Sequence, residues 1–252
     1  MPGNMPEHAI LEGCISIEAA LVARSRPIHT LMLARDRWDA RALRLERIAR
    51  SVGAEVTRKD RAEIDALAQG TTHGGVLALV GDRQFVALRD LGRDNPRPLI
   101  AMLDGIEDPF NFGSAVRSLY AAGADGLVLR ARNWMSAAGT VARASAGASE
   151  LIPVAVADDP EQAVQAFRAR GLMIACAAAE RARPVYEANL TGPLFLLIGG
   201  EKRGIHKSLL QQADIRLRIP YGRPFPQALD TASATAVLAF EVMRQRRCSI
   251  DN

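Results

Sequence analysis

Short apolar runs alternate with amphipathic stretches along most of the chain. In the first part, residues 28–35 (IHTLMLAR), 54–60 and 75–81 have the length and composition of strands. Residues 40–53 and 61–70 repeat apolar side chains at helical spacing, and each stretch ends on a glycine, a common residue just after a helix. This alternation predicts a small α/β domain over residues 1–82.

The same rhythm resumes after a charged stretch over residues 83–97, which carries Gly92 and Pro96 and is predicted to be a linker. The predicted strands of this second part are PLIAMLDG, GLVLR, LIPVAVA, LMIACA, LFLLIGG and IRLRIP. Between them lie helical patterns such as residues 159–171, which open with an acidic residue and proline and end on glycine. The pattern predicts an α/β domain over residues 98–252, built on a parallel sheet with helices on both faces.

Ligands of such sheets usually bind at the carboxyl ends of the strands, which directs attention to three strand ends rich in Gly, Pro and polar residues. The first is DPFNFGSAVRSLYAAG, where Asn111 is predicted to cap a helix and Arg117 to point across the strand ends. A capped helix with an ordinary surface arginine explains this stretch equally well. Neither a GxxxxGK[ST] nor a GxGxxG phosphate-binding motif is present.

The second strand end is LLIGGEKRG, in which Gly199 and Gly200 can expose backbone groups to a ligand and are followed by Glu201. Glu201 is either a functional acid or a cap for the helix predicted near His206. The third strand end is RIPYGRPFPQALD, followed by a helix whose first turns contain only small residues. Such a start predicts close packing against a ligand or another segment of the chain.

Composition limits the class of protein. The chain has 252 residues, 48% of them hydrophobic, and its 32 basic and 28 acidic residues give a net charge of +4 and a pI near 9.3. This charge permits a nucleic-acid partner without requiring one. The three cysteines lie far apart, so no metal site is predicted. Without a signal-peptide pattern or an apolar run of about 20 residues, the expectation is a soluble cytoplasmic protein with no membrane partner.

Together the three strand ends resemble the motifs of the SpoU/TrmH family of RNA ribose 2′-O-methyltransferases. The family's first motif, DP-x-N-x-G…R…AAG, is matched by Asp108-Pro109, Asn111, Gly113, Arg117 and Ala121-Ala122-Gly123. Its second motif, an aliphatic-Gly-x-Glu-x-x-Gly core, is matched by Ile198-Gly199-Gly200-Glu201 and Gly204. Its third motif is matched by Ile219-Pro220 and Ala228-Leu229-Asp230. SAGASELIPV (145–154) also resembles a family segment. The similarity spans about residues 98–247. More loosely, residues 11–80 resemble the ribosomal-protein-like RNA-binding domain that precedes many of these enzymes.

The resemblance implies a deep trefoil knot in the second domain, homodimerisation through that domain, and S-adenosylmethionine as cofactor with no metal. The cofactor-binding residues it implies are Gly199, Gly200, Ile219, Ala228 and Leu229. The catalytic residues are Asn111, Arg117, Glu201 and Asp230, with Arg117 also contacting RNA. Arg117 would hold the target phosphate and the developing alkoxide, Asn111 would order the loop, and Glu201 would orient Arg117. Ribosomal RNA, rather than transfer RNA, is the expected substrate by analogy with enzymes that carry the extra domain.

The chain departs from the family where Ala228-Leu229-Asp230 replaces the usual Ser-Leu-Asn, so Asp230 places a charge that could pair with Arg117 or lie near the sulfonium. Two further functions therefore stay open: a non-catalytic RNA-binding or assembly factor on the same fold and, less favoured, a nicotinamide-dependent oxidoreductase.

In the first domain, Arg37, Arg41 and Arg44 are predicted to share one helical face and to bind RNA. A solvated helix face is the alternative, because acidic residues lie nearby.

Overall fold

The computed structural model describes residues 9–130, 137–200 and 204–248. Its strands are β1 (Ala9–Glu12), β2 (Ile28–Ala34), β3 (Glu55–Lys59), β4 (Val76–Val80), β5 (Leu99–Asp104), β6 (Gly126–Arg130), β7 (Val154–Ala157), β8 (Met173–Ala177), β9 (Arg183–Pro184), β10 (Leu194–Gly199) and β11 (Ile215–Arg218). Its helices are α1 (Cys14–Ala23), α2 (Ala40–Ser51), α3 (Arg61–Leu67), α4 (Pro109–Ala121), α5 (Ala138–Ala144), α6 (Ala148–Leu151), α7 (Pro160–Ala169), α8 (Lys207–Gln212) and α9 (Thr231–Cys248). Within these ranges no helix has the length and apolar character needed to cross a bilayer.

The chain divides into two compact units, of which the first comprises Met1–Gln84 and Asn133–Leu151. Its sheet has the strand order β1-β4-β2-β3, with β4 antiparallel to both neighbours and β2 parallel to β3. Aliphatic side chains from β1, β2, β4, α1 and α2 form its core, and two alanines of α5, Ala138 and Ala142, belong to the same cluster. Helices α5 and α6, which follow β6 in sequence, therefore pack with the first unit.

The second unit comprises Phe85–Arg132 and Ile152–Asn252 and contains a seven-stranded sheet in the order β7-β6-β5-β10-β8-β11-β9. Every strand pair in it is parallel, which confirms the predicted α/β class with a parallel sheet. The six strands predicted from apolar runs after residue 97 are all present, as β5, β6, β7, β8, β10 and β11. Phe167 and Phe195, both fully buried, pack ring against ring in the core of this unit.

Local sequence explains where the main helices begin and end. Helix α7 begins after Asp159, whose carboxylate accepts a hydrogen bond from the Gln162 N–H at 2.7 Å, and it ends before Gly171. Gly171 has φ +79°, the left-handed conformation that glycine adopts without steric cost. The predicted helix 159–171 is thus confirmed.

Candidate functional site at the carboxyl edge of the second sheet

The order of strands locates the candidate site. From β5 the chain adds β6 and β7 on one side of the sheet, and it then returns to place β8 and β10 on the other side. The adjacent strands β5 and β10 therefore flank the point where the strand order reverses, and ligands of open α/β sheets bind just outside that point. Gly199 at the end of β10 lies opposite Asp104 at the end of β5.

The backbone at this edge is packed too closely for side chains. The Gly200 N–H donates to the Asp104 carbonyl at 2.7 Å, and a Cβ on Gly200 would lie 2.2 Å from the Gly105 carbonyl oxygen. A Cβ on Gly199 would lie 2.3 Å from the Gly204 carbonyl carbon. Since backbone atoms cannot move aside as a flexible side chain can, both positions require glycine, and the main chain at the two strand ends is held backbone against backbone.

Helix α4 begins directly beyond β5 and carries two of the predicted site residues. Its N-cap is Asp108, whose carboxylate accepts from the N–H groups of Phe110 at 3.2 Å and Asn111 at 3.1 Å, and Pro109 occupies the first helical position. The prediction that Asn111 caps this helix is therefore wrong, because Asn111 lies three residues further along. The Asp-Pro pair was the local signal for the true start.

Arg117 lies in the third turn of α4 and is exposed, whereas Phe112, Val116 and Leu119 of the same helix are buried. Their spacing leaves Arg117 on the solvent side. Within the described ranges, its guanidinium has neither an ion-pair partner nor a hydrogen bond. An uncompensated guanidinium is a suitable binding group for a phosphate or an oxyanion.

The third motif spans the end of β11, the loop after it and the start of α9. The loop after β11 brings Ile219, half-buried, to the sheet edge and then runs through the exposed Ala228 to Leu229, whose N–H donates to the Tyr221 hydroxyl at 3.0 Å. Helix α9 then packs along α4, and its small residues permit that close approach. Thr231 and Thr235 in the first turns of α9 are buried, which agrees with the predicted close packing there.

Asp230 caps α9. Its carboxylate accepts from the Ser233 N–H at 2.8 Å and from the Ser233 hydroxyl at 2.6 Å. These hydrogen bonds from Ser233 hold the pKa of Asp230 below its ordinary value. Of the two interactions considered for Asp230, the pairing with Arg117 is not found among the described residues.

Glu201 lies outside the described residues, so its predicted role beside Arg117 stays a prediction. Sequence reasoning missed Asp104, whose side chain is 13% exposed and lies 3.6 Å from the Arg130 guanidinium. Its Oδ1 atom is buried and has no hydrogen-bond partner in the described part of the chain. An acid as the last residue of a buried strand was the available signal.

The RNA-binding residues predicted in the first unit are arranged differently from the expectation. Arg37 lies before the start of α2, so it does not share a helical face with Arg41 and Arg44. Its guanidinium donates a hydrogen bond to the Asp39 carboxylate. Arg41 and Arg44 do lie on α2, and both pair with Glu18 at 3.2 Å.

The segment SAGASELIPV resembles a family motif but has a structural role in the first unit. Glu150 is 2% exposed and pairs with Arg26 at 3.0 Å and with Arg83 at 3.3 Å, and the Ser25 hydroxyl also donates to it. Burial opposes ionisation of Glu150, but the charges of Arg26 and Arg83 outweigh it and hold the pKa of Glu150 below its ordinary value.

The fold and these contacts define an α/β protein of the open parallel-sheet class, whose candidate ligand site is the glycine-packed carboxyl edge of β5 and β10. Residues 98–240 match the model of the SpoU rRNA methylase family, and residues 10–86 match that of the RNA 2′-O ribose methyltransferase substrate-binding domain. The chain belongs to the SpoU rRNA methylase family.

Relatives and solved structures agree with this assignment. The chain is 30% identical to the 23S rRNA (guanosine-2′-O-)-methyltransferase RlmB of Pseudomonas aeruginosa over 93% of this chain and 95% of that protein, and 29% identical to RlmB of Shewanella oneidensis over 96% and 100%. The fold matches the AdoMet-bound rRNA methyltransferase of Sinorhizobium meliloti with a TM-score of 0.79 at 24% identity, covering 94% of this chain and 87% of that one. It also matches the SpoU methyltransferase AviRb of Streptomyces viridochromogenes in complex with AdoMet, with a TM-score of 0.77 at 25% identity, covering 96% and 91%.

Proposed function

We propose that the protein is an S-adenosylmethionine-dependent RNA ribose 2′-O-methyltransferase that acts on ribosomal RNA, on a guanosine as the names of its relatives indicate. The observation that carries the proposal is that both family models match in order and that similarity to the named enzymes extends over nearly the whole of both chains. The close-packed backbone at Gly199 and Gly200 and the exposed Arg117 of α4 give further support.

The residues at the strand edge fit the cofactor. The closely packed glycine backbone would form a fixed cradle for an adenosyl moiety, lined by Gly199, Gly200, Ile219, Ala228 and Leu229. The bound cofactor would provide a methyl group already activated by the positive sulfur. The protein must then align the ribose 2′-oxygen with that methyl group and assist the loss of its proton.

Arg117 would perform the alignment. A guanidinium stays protonated at all working pH values, so Arg117 acts as a fixed cation and not as a simple base. It would bind the phosphate beside the target ribose and stabilise the alkoxide as it develops, while Asn111 orders the loop and Glu201 orients Arg117. Because Asp230 is engaged by Ser233, it would contribute through the start of α9 rather than by neutralising Arg117.

Four further properties are part of the proposal. The family models, over residues 10–86 and 98–240, support a substrate-binding domain over residues 1–82, a linker over 83–97 and a methyltransferase domain over 98–252. The trefoil knot rests on the family resemblance. Dimerisation through the knotted domain rests on the family resemblance. A cytoplasmic location follows from the proposed ribosomal RNA substrate.

The test is transfer of labelled methyl groups from S-adenosylmethionine to deproteinised ribosomal RNA from a strain that lacks the protein, with calorimetry of cofactor binding alongside. Arg117→Ala should lower the transfer rate by about 100-fold or more while leaving cofactor affinity unchanged, because it removes a charge that acts mainly in the transition state. The matched control is Arg168→Ala, which removes an exposed arginine paired with Asp214, the residue just before β11 and so at the opposite edge of the sheet.

Near-normal transfer by Arg117→Ala would refute the role of Arg117. RNA binding without cofactor binding or methyl transfer by the unsubstituted chain would instead favour a non-catalytic RNA-binding factor. Binding of a nicotinamide cofactor in place of S-adenosylmethionine would favour an oxidoreductase.

A further inference from the structure

Trp38 is the only Phe, Tyr or Trp among the described residues of the first unit. The core of that unit is aliphatic, and Trp38 lies outside it with 62% of its surface exposed. An indole is large and apolar, so leaving it in water forgoes one of the largest burial gains available to a side chain. A ligand for the exposed ring would explain this position.

The ring is held in place although it is exposed. The Arg58 guanidinium lies over one face, with its Cζ atom 3.5 Å from the ring centroid. Arg58 is itself fixed, because it donates to the Arg37 carbonyl at 2.7 Å and to the Glu46 carboxylate at 2.8 Å. Its side chain is only 18% exposed. One face of Trp38 thus rests on an anchored cation, and most of the remaining surface is open to solvent.

The surroundings carry surplus positive charge. Glu46 accepts from both Arg50 and Arg58, so this cluster of three keeps one uncompensated positive charge. The hydrogen bonds from these arginines hold the pKa of Glu46 below its ordinary value, so the carboxylate stays ionised. Such a surface attracts a polyanion.

We infer that Trp38 is a stacking platform for an unpaired base of the RNA substrate, with the net positive charge of the Arg50–Glu46–Arg58 cluster beside it to attract the phosphates. Proteins that bind single-stranded RNA combine these two elements: an aromatic side chain on which a base stacks and cations that track the backbone. Arg58 pre-orients the indole, so little side-chain freedom is lost when the base arrives. The inference rests on the proposed function in taking RNA as the ligand, and it adds a contact on the first unit.

Fluorescence can test this contact directly, since the chain has two tryptophans and Trp134→Phe leaves Trp38 as the sole indole. Titration with a short unstructured RNA should quench the Trp38 emission saturably, as expected when a base stacks on the ring. A duplex of the same length should quench it much less, because its bases are already stacked. Unchanged emission at saturating RNA would overturn the inference, and so would equal quenching by the duplex.

A second measurement uses the chain with Trp134 intact. In fluorescence anisotropy with labelled RNA, Trp38→Ala should weaken binding roughly 5- to 100-fold, the range expected for loss of one stacked base, and Trp38→Phe should restore most of the affinity. Leu43→Ala, which truncates an exposed apolar side chain on the neighbouring helix α2, is the matched control and should bind normally. Normal binding by Trp38→Ala would overturn the inference.

The two proposals fail in distinguishable ways. Cofactor affinity and the effect of Arg117→Ala report on the methyltransferase site in the second unit and do not depend on Trp38. If Trp38→Ala keeps both its methyl transfer and its RNA affinity, only the stacking role of Trp38 is refuted. Trp38 quenching without any methyl transfer would remove only the proposed activity.

Discussion

Replacing Glu150 by glutamine should strongly destabilise the first unit. The carboxylate is the shared partner of two guanidiniums whose side chains are only 6% (Arg26) and 13% (Arg83) exposed. Glutamine keeps the shape but removes the charge, and its amide group presents N–H donors to arginines that are themselves donors. The variant therefore removes the carboxylate that the two buried guanidiniums share.

The expected loss is about 3–5 kcal/mol of unfolding free energy, the usual cost of removing one member of a buried ion pair. That is a large part of the roughly 5–15 kcal/mol that stabilises a typical domain. The wild-type contribution also depends on pH. Because the folded pKa of Glu150 lies below its ordinary value of 4.5, the contribution is complete above that value and is lost as the pH falls through the folded pKa.

The measurement is urea unfolding followed by Trp38 emission in the Trp134→Phe background, which reports on the first unit. Asp82→Asn is the matched control, because Asp82 is an exposed acid of the first unit with no ion pair within the described ranges; it should change stability by less than about 0.5 kcal/mol. Adding Arg26→Gln to Glu150→Gln should cost less than the sum of the single changes, since both remove the same interaction. If Glu150→Gln costs no more than Asp82→Asn, the buried cluster does not stabilise the unit and the reasoning is refuted.

Two further variants probe the second unit. Gly200→Ala places a Cβ 2.2 Å from the Gly105 carbonyl oxygen and should lower cofactor affinity in calorimetry by at least about 10-fold. The control is Gly192→Ala, whose Cβ meets no atom within 4 Å and which should leave the affinity unchanged. Equal affinities of the two variants would refute the proposed cofactor-binding role of Gly200. Asp230→Ala should lower the free energy of unfolding by about 1 kcal/mol in thermal unfolding, because it removes the α9 cap. This difference should disappear as the pH falls through the lowered folded pKa of Asp230, because the protonated carboxyl of the wild type no longer caps well. Asp230→Asn should retain most of the cap and normal methyl transfer; a loss equal to that of Asp230→Ala would show that the charge itself is required.

Local sequence was sufficient for the main strands and for several helices, and it directed the search to the candidate site. The strands of the second sheet follow from apolar runs ended by Gly or Pro, and α7 follows from an acidic cap and a terminal glycine. These signals act over a few residues, so they can be read without knowledge of the fold. The order of the elements and the three motif-bearing strand ends then indicated a parallel sheet and the edge at which a ligand binds.

Two errors arose where a local signal was present but was not used. The Asp108-Pro109 pair marks the start of α4, three residues before the predicted cap at Asn111. Asp39 ends the turn that contains Arg37, so Arg37 cannot share a helical face with Arg41. In both cases the short acidic side chain that accepts backbone hydrogen bonds defines the boundary.

The sequence by itself thus determined the α/β class, the parallel sheet, the strand ends and the family, because these depend on periodicity and on short motifs. Only the tertiary structure decided which distant side chains meet. Glu150 pairs with Arg26 across 124 positions of sequence, and the unit that contains this pair includes a segment from beyond β6. Trp38 rests on Arg58 for the same reason, since β3 and the turn before α2 come together only when the sheet forms. Burial strengthens the electrostatic interaction between paired charges, and a local sequence pattern does not predict which charges will be buried together.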